Sequence, residues 1–136
     1  GSIGTQVDRN NSYQLNVPKH NTIPGYADIP IMILTSSATA SAAEMFSAGM
    51  RHLRDAVIIG ETTAGNSENL FPYDLEDGSV LWVAELLYKQ PNGAYIEDVG
   101  IIPDVTVADA WEQHDATDDP FIRAAADYFN KTHPTP

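Results

Sequence analysis

The stretch Ile29–Gly60, "IPIMILTSSATASAAEMFSAGMRHLRDAVIIG", decides the fold class. Its first six residues are a continuous apolar run, the pattern of a strand covered on both faces. From Ser41 to Arg54 the positions Met45, Phe46, Gly49, Met50 and Leu53 recur at helical spacing. Arg51, His52 and Arg54 fall in the last turn of that helix, where cations complement its dipole. "AVIIG", Ala56 to Gly60, is a second buried-strand run. Strand, helix and strand at this spacing make a βαβ unit, with a right-handed crossover and a parallel strand pair.

Working outward, residues 1–28 are polar, with Pro18, Pro24 and scattered Asn and Gly, and read as an irregular lead-in. The opening Gly1-Ser2 reads as an expression-tag remnant, and the chain as part of a longer protein. After the βαβ unit, Asp77-Gly78 marks a turn into the long strand pattern "SVLWVAELLYK". "PNG" at Pro91–Gly93 is a hairpin-type turn, and "AYIEDVGIIPDVTV" follows as an extended segment. Asp119-Pro120 opens a last helix whose apolar face is Phe121, Ile122, Ala125, Tyr128 and Phe129. The expected architecture is α/β with a mixed sheet. Its body spans 29–130, and 131–136 form a tail.

Composition narrows the chemistry. Seven Lys and Arg against nineteen Asp and Glu give a formal charge of -12 over 136 residues. Nucleic acid and anionic membrane both demand a basic patch, so neither is an expected partner. No segment approaches the roughly 20 apolar residues of a membrane span. Without cysteine there is no thiolate nucleophile, disulfide or Cys-based zinc site. No His/Asp/Glu cluster has metal-ligand spacing, so neither metal nor cofactor is expected.

Ser41 carries two readings. Ser41-Ala-Ala-Glu44 fits a capping box, in which the serine oxygen takes the Glu44 N–H and the carboxylate reaches back. The same position, at a strand-to-helix turn, would project a hydroxyl beyond the carboxyl end of the sheet, where α/β folds place their sites. The helix N-terminus supplies free N–H groups and positive potential suited to an oxyanion, and Ala40, Ala42 and Ala43 leave room for a substrate backbone.

The segment from Ile29 to Asn66 resembles the nucleophile region of the C-terminal-processing (tail-specific) serine peptidases. There, an apolar strand leads to a Ser-Ala-rich segment ending in Glu, a helix, and a strand closing with Gly-Glu-Thr. "LEDGSVLWVAELLYKQPNGAYIEDVGIIPDV" and "DPFIRAAADYF" are similar to the family's later strands and terminal helix, so the resemblance runs from Ile29 to Phe129. It implies a Clp protease/crotonase-like fold, here a partial domain, with Ser41 as nucleophile three residues before Glu44. It also implies that the Ala42 N–H is an oxyanion donor.

The bacterial branch of that family places a lysine base where this chain has Asn66, and Asn cannot take a proton from serine. Lys89 lies in another segment. "GETTAG" with "ASAAE" is instead similar to the branch of the tricorn protease core and the retinoid-binding repeats. That resemblance implies a histidine base far upstream, oriented by a carboxylate matching Glu97. Asp98 and Asp104 read as loop residues. His20, His52, His114 and His133 have no context resembling that base, and the family's Gly-rich oxyanion loop is missing. The expectation is therefore a serine peptidase domain whose base lies outside this chain, acting on extended polypeptide. The alternative is a non-catalytic module binding hydrophobic ligands or peptides. Crotonase-type acyl-CoA chemistry is suggested by fold alone, which does not license it. Export to the cell envelope or beyond is implied by the resemblance, and open sheet edges favour self-association.

Overall fold

The computed structural model describes residues 1–18, 25–26, 28–109, 113–115 and 117–134. Strands and helices follow in the order β1 (Ser2–Val7), β2 (Ser12–Asn16), β3 (Met32–Thr35), α1 (Ala42–Arg54), β4 (Val57–Gly60), β5 (Asn69–Asp74), β6 (Val80–Lys89), β7 (Val105–Thr106) and α2 (Pro120–Thr132). The expected α/β architecture is present, with its antiparallel and parallel strands segregated into two sheets. One has four strands in the order β2-β1-β6-β5, and the other three in the order β3-β4-β7.

The βαβ unit forms as its sequence demands. β3 and β4 pair in parallel, Met32 opposite Val57 through Thr35 opposite Gly60, and β7 adds to the far side of β4 in parallel. Ile58 and Ile59 are fully buried; burial of each such side chain is worth about 1.5–3 kcal/mol. Helix α1 turns its small residues inward, with Ser47, Ala48 and Gly49 buried. That face differs from the expected one, because Phe46 is 57% exposed. Small residues let the helix approach β1 closely: a Cβ on Gly49 would sit 2.9 Å from the Ile3 side chain.

The lead-in assigned to residues 1–28 needs correction. Its first half is the hairpin β1–β2, antiparallel and paired in turn with β6. The turn is shaped by Asp8, whose carboxylate accepts the N–H groups of Asn10 and Asn11, each at 2.6 Å. Gly1 and Ser2, read as tag residues, take part: the Gly1 ammonium donates to the Val17 carbonyl at 2.8 Å. These strands are polar because only one face meets the core. There Tyr88, wholly buried, donates its hydroxyl to the Ile3 carbonyl and packs with Ala48, Ile58, Ile96 and Ile101.

Beyond that core, β5 and β6 continue as a two-stranded ribbon, with Leu70, Phe71, Tyr73, Leu81 and Trp82 exposed. Pro72 is accommodated because β5 is an edge strand. The segment after "PNG" pairs with β6 at Lys89–Tyr95; the long extended stretch expected there is mostly turns, with β7 at its end. Helix α2 begins as expected. The Asp119 carboxylate caps it by accepting the N–H groups of Phe121 and Ile122 at 2.7 and 3.2 Å.

Burial pushes the Tyr88 hydroxyl from 10.0 up to about 12. The folded state holds that proton more tightly, so the associated stability is full below pH 10.0 and drains away as pH rises to about 12. Tyr88→Phe should cost about 1–3 kcal/mol, through the unpaired Ile3 carbonyl. It should also flatten this alkaline loss, read as denaturant midpoints across the pH range.

Candidate active site

The site assembles at the carboxyl end of the parallel sheet, where three chain segments converge. The first is the β3–α1 connection. A tight turn, Thr39 N–H to Ser36 carbonyl at 2.9 Å, delivers Ser41 to the helix N-terminus. Ser41 adopts φ 57° and ψ −123°, a region costly for any residue with a Cβ and concentrated at functional sites. Its side chain is exposed.

The second segment is "GETTAGN", residues 60–66, which wraps the helix start. The Ala64 N–H donates to the Thr39 carbonyl at 2.8 Å, and the Ser41 N–H to the Asn66 carbonyl at 2.9 Å. Glu61 accepts the N–H and hydroxyl of Ser37 at 2.9 and 3.0 Å. The third segment, residues 96–101, is laced to the second by Thr63, whose hydroxyl accepts the Ile101 N–H at 2.7 Å. The approach leaves no space for side chains. Gly100 sits at φ +74°, where a Cβ would lie 2.2 Å from the Thr63 carbonyl oxygen.

Glu44 joins the first two segments and is wholly buried. One carboxylate oxygen accepts the Thr63 hydroxyl and the Gly65 N–H, the latter at 2.8 Å. The other accepts the N–H groups of Ser41 and Asn66 at 2.9 and 3.0 Å. Four donors satisfy the buried charge, as they must in a low dielectric. The capping-box reading is thus half of the arrangement. The Glu44 N–H sits against Ser41 in capping-box fashion, but its hydrogen bond at 2.9 Å goes to the Ser41 carbonyl. That leaves the hydroxyl without a side-chain cap bond. Ala43 and Met45 also direct their N–H groups to carbonyls, of Ala40 and Ser41. The Ala42 N–H has no acceptor among the described residues.

Glu97 lies across the same loop from Ser41. The Asn66 carbonyl meets Ser41, and the next residue, Ser67, gives both its N–H and its hydroxyl to Glu97, each at 2.7 Å. Burial works against ionisation of Glu97, but the bonds from Ser67, with contributions from Glu68, outweigh it and hold the carboxyl below its ordinary 4.5. Asp98 donates its N–H to the Gly65 carbonyl at 2.8 Å. Asp104 does more than a loop residue need do. It accepts the Ile58 N–H at 2.8 Å and pairs with Arg51 at 3.2 Å, tying β4 to α1.

The described histidines stand apart from Ser41 or are otherwise engaged. His52 is eleven residues along α1, about 16 Å away at the helical rise. His114 faces Asp109 at 3.3 Å, and His133 stacks on Phe129 at the end of α2. His20 lies outside the described residues. The Lys89 ammonium sits 4.6 Å over the Tyr95 ring. Among the described residues no group of three or more His, Asp or Glu could hold a metal, and no helix is long and apolar enough to cross a membrane.

Residues 1–107 match the family model described as peptidase family S41. The chain belongs to that family. Within the S41 match fall both the polar hairpin β1–β2 and every site residue named above. A protein named "Probable CtpA-like serine protease" from Staphylococcus aureus (strain bovine RF122 / ET3-1) is 35% identical over 80 residues, 59% of this chain and 16% of its own length. The photosystem II D1 C-terminal processing protease superposes with TM-score 0.65 at 28% identity, over 79% of this chain and 27% of its own. The tricorn protease does so with TM-score 0.56 at 27% identity, over 76% and 10%. The chain therefore spans a small part of the relatives it matches.

Replacing Glu44 by Ala should orphan four donors and cost about 3–5 kcal/mol or more. Glu44→Gln should recover part of that loss. Urea midpoints of the two variants against the parent chain measure the difference.

Proposed function

We propose that this chain carries the nucleophile-bearing part of a serine-type endopeptidase. One observation carries the reading: Ser41 presents an exposed hydroxyl that faces the Glu44 N–H in capping-box fashion but makes no side-chain cap hydrogen bond, on a strained strand-to-helix turn beside an Ala42 N–H that has no acceptor among the described residues. A serine that served only as an N-cap would spend its oxygen on the helix. The family membership supports the same reading.

In the proposed chemistry, the Ser41 Oγ attacks the scissile carbonyl carbon while a base takes its proton. The Ala42 N–H receives the developing oxyanion at the helix N-terminus. The tetrahedral intermediate then collapses, the C–N bond breaks, and the amine leaves with the proton from the base. Water releases the acyl group by the same steps in reverse. Asn66, whose carbonyl contacts the Ser41 N–H, occupies the position of a lysine base and cannot serve as one. The base is a histidine from outside these 136 residues, with Glu97 behind it to stabilise the imidazolium. A Gly-rich loop, also from outside, completes the oxyanion hole. The substrates are extended polypeptides added to a sheet edge, and the protein is exported.

In the full-length protein a fluorophosphonate should label Ser41, and Ser41→Ala should abolish both labelling and proteolysis. Labelling that survives the substitution moves the nucleophile elsewhere. A folded full-length protein that takes no label would favour a peptide- or ligand-binding module on the same fold.

The 136-residue chain alone should hydrolyse casein and short esters no faster than its Ser41→Ala variant. Losing one oxyanion donor costs roughly 100- to 1000-fold, and losing the base leaves little above background. Turnover clearly above the variant would mean a base lies within the chain.

A further inference from the structure

Ser67 has no role in the chemistry above, yet its surroundings are unusually specific. It is 1% exposed, so its hydroxyl cannot turn to bulk water. Both of its donors, N–H and O–H, converge on the same Glu97 oxygen, Oε2, each at 2.7 Å. A buried hydroxyl that makes one short bond to a carboxylate has its direction fixed, because an ionised carboxylate only accepts. The contact therefore selects both the charge state of Glu97 and its rotamer. Bonds of this charge-assisted kind are about twice as strong as neutral ones.

The clamp is anchored on the same loop that holds the nucleophile. Asn66, the residue before Ser67, gives its N–H to Glu44 and its carbonyl to the Ser41 N–H. Ser41 and Glu97 are thus separated by two consecutive residues of one loop, each bonded to one of them. The charged groups around Glu97 are accounted for. Glu68 is hydrogen-bonded to it through both side chain and backbone, and Glu44 is on the far side of the Gly65–Asn66 turn with its four donors. Asp98 is exposed, its N–H on Gly65, and the Lys89 ammonium is over Tyr95.

We infer that Ser67 is a positioning residue, pinning Oε2 of Glu97 so that Oε1 is presented to the base that serves Ser41. This inference rests on the proposed role of Glu97 behind that base. Without the hydroxyl, Oε2 keeps the Ser67 N–H and the carboxyl keeps its bonds from Glu68, but the short contact that fixes its direction is gone. An orienting carboxylate that wanders positions the imidazole poorly, even when the nucleophile is intact.

Two measurements test this. The first titrates the Glu97 carboxyl by carbon NMR in the 136-residue chain, with the resonance assigned from Glu97→Gln. Ser67→Ala should raise the proton affinity of Glu97 about tenfold, the worth of one charge-assisted bond, and Ser67→Thr should restore it. The amide spectrum of each variant checks that the fold is kept. The second follows kcat/KM against pH in the full-length protein. Ser67→Ala should lower the plateau about tenfold or more and move the acid limb downward, because a poorly placed carboxylate stabilises the imidazolium of the base less. Ser67→Thr should reverse both effects.

A Glu97 titration that does not move in Ser67→Ala overturns the clamp. A titration that moves while plateau and acid limb stay unchanged overturns the positioning role, provided that Glu97→Gln is itself impaired. If Glu97→Gln turns over normally, Glu97 has no part in the reaction, and the positioning role of Ser67 falls with it whatever the titration shows.

Discussion

A buried carboxylate with four hydrogen-bond donors, Glu44, is the interaction on which the site's geometry depends. It sits at the start of a helix, where the dipole favours negative charge, and binds a loop that begins at the end of the neighbouring strand. Its contacts cannot be made one at a time. With the charge in place, each missing donor leaves an anion short of solvation in a dry interior. The Thr63 hydroxyl extends the same chain of bonds, accepting the Ile101 N–H while donating to Glu44. Helix, loop and the segment carrying Glu97 are thereby held in a single register.

The energetics of that register explain how the strain at Ser41 is borne. A non-glycine residue at φ 57°, ψ −123° costs of order 1–3 kcal/mol. The turn persists because its N–H is held from two directions, by Asn66 and by Glu44. The network therefore does two jobs with one set of bonds: it stabilises the connection and keeps the serine in an otherwise unfavourable pose. The Ser41 hydroxyl makes no side-chain cap hydrogen bond of its own within that network.

The βαβ unit and α2 were legible in the sequence because their apolar residues recur with the period of the element they form. The hairpin β1–β2 was not. Its residues carry Ser, Thr, Gln and Asn on the outward face, and its inward contacts, with Tyr88 above all, come from a strand more than 80 residues away. The strand β5 was hidden by Pro72, a residue tolerated only at an edge. Within the site, Ser41, Ala42 and Glu97 were singled out by local pattern and family resemblance. Glu44 read as half of a capping box, since only its bond to Ser41 is local. Its partners Thr63, Gly65 and Asn66 lie 19 to 22 residues on, and nothing in the spacing announces them. The contact between Ser67 and Glu97 is longer still in sequence, 30 residues. Only the fold brings the two together.

The backbone at position 41 also sets what a substitution there would do. Glycine is the one residue that would enter this conformation without steric cost. Ser41→Gly would therefore relieve the strain while the backbone N–H keeps both of its acceptors, the Asn66 carbonyl and the Glu44 carboxylate. At this turn the side chain strains the fold instead of supporting it.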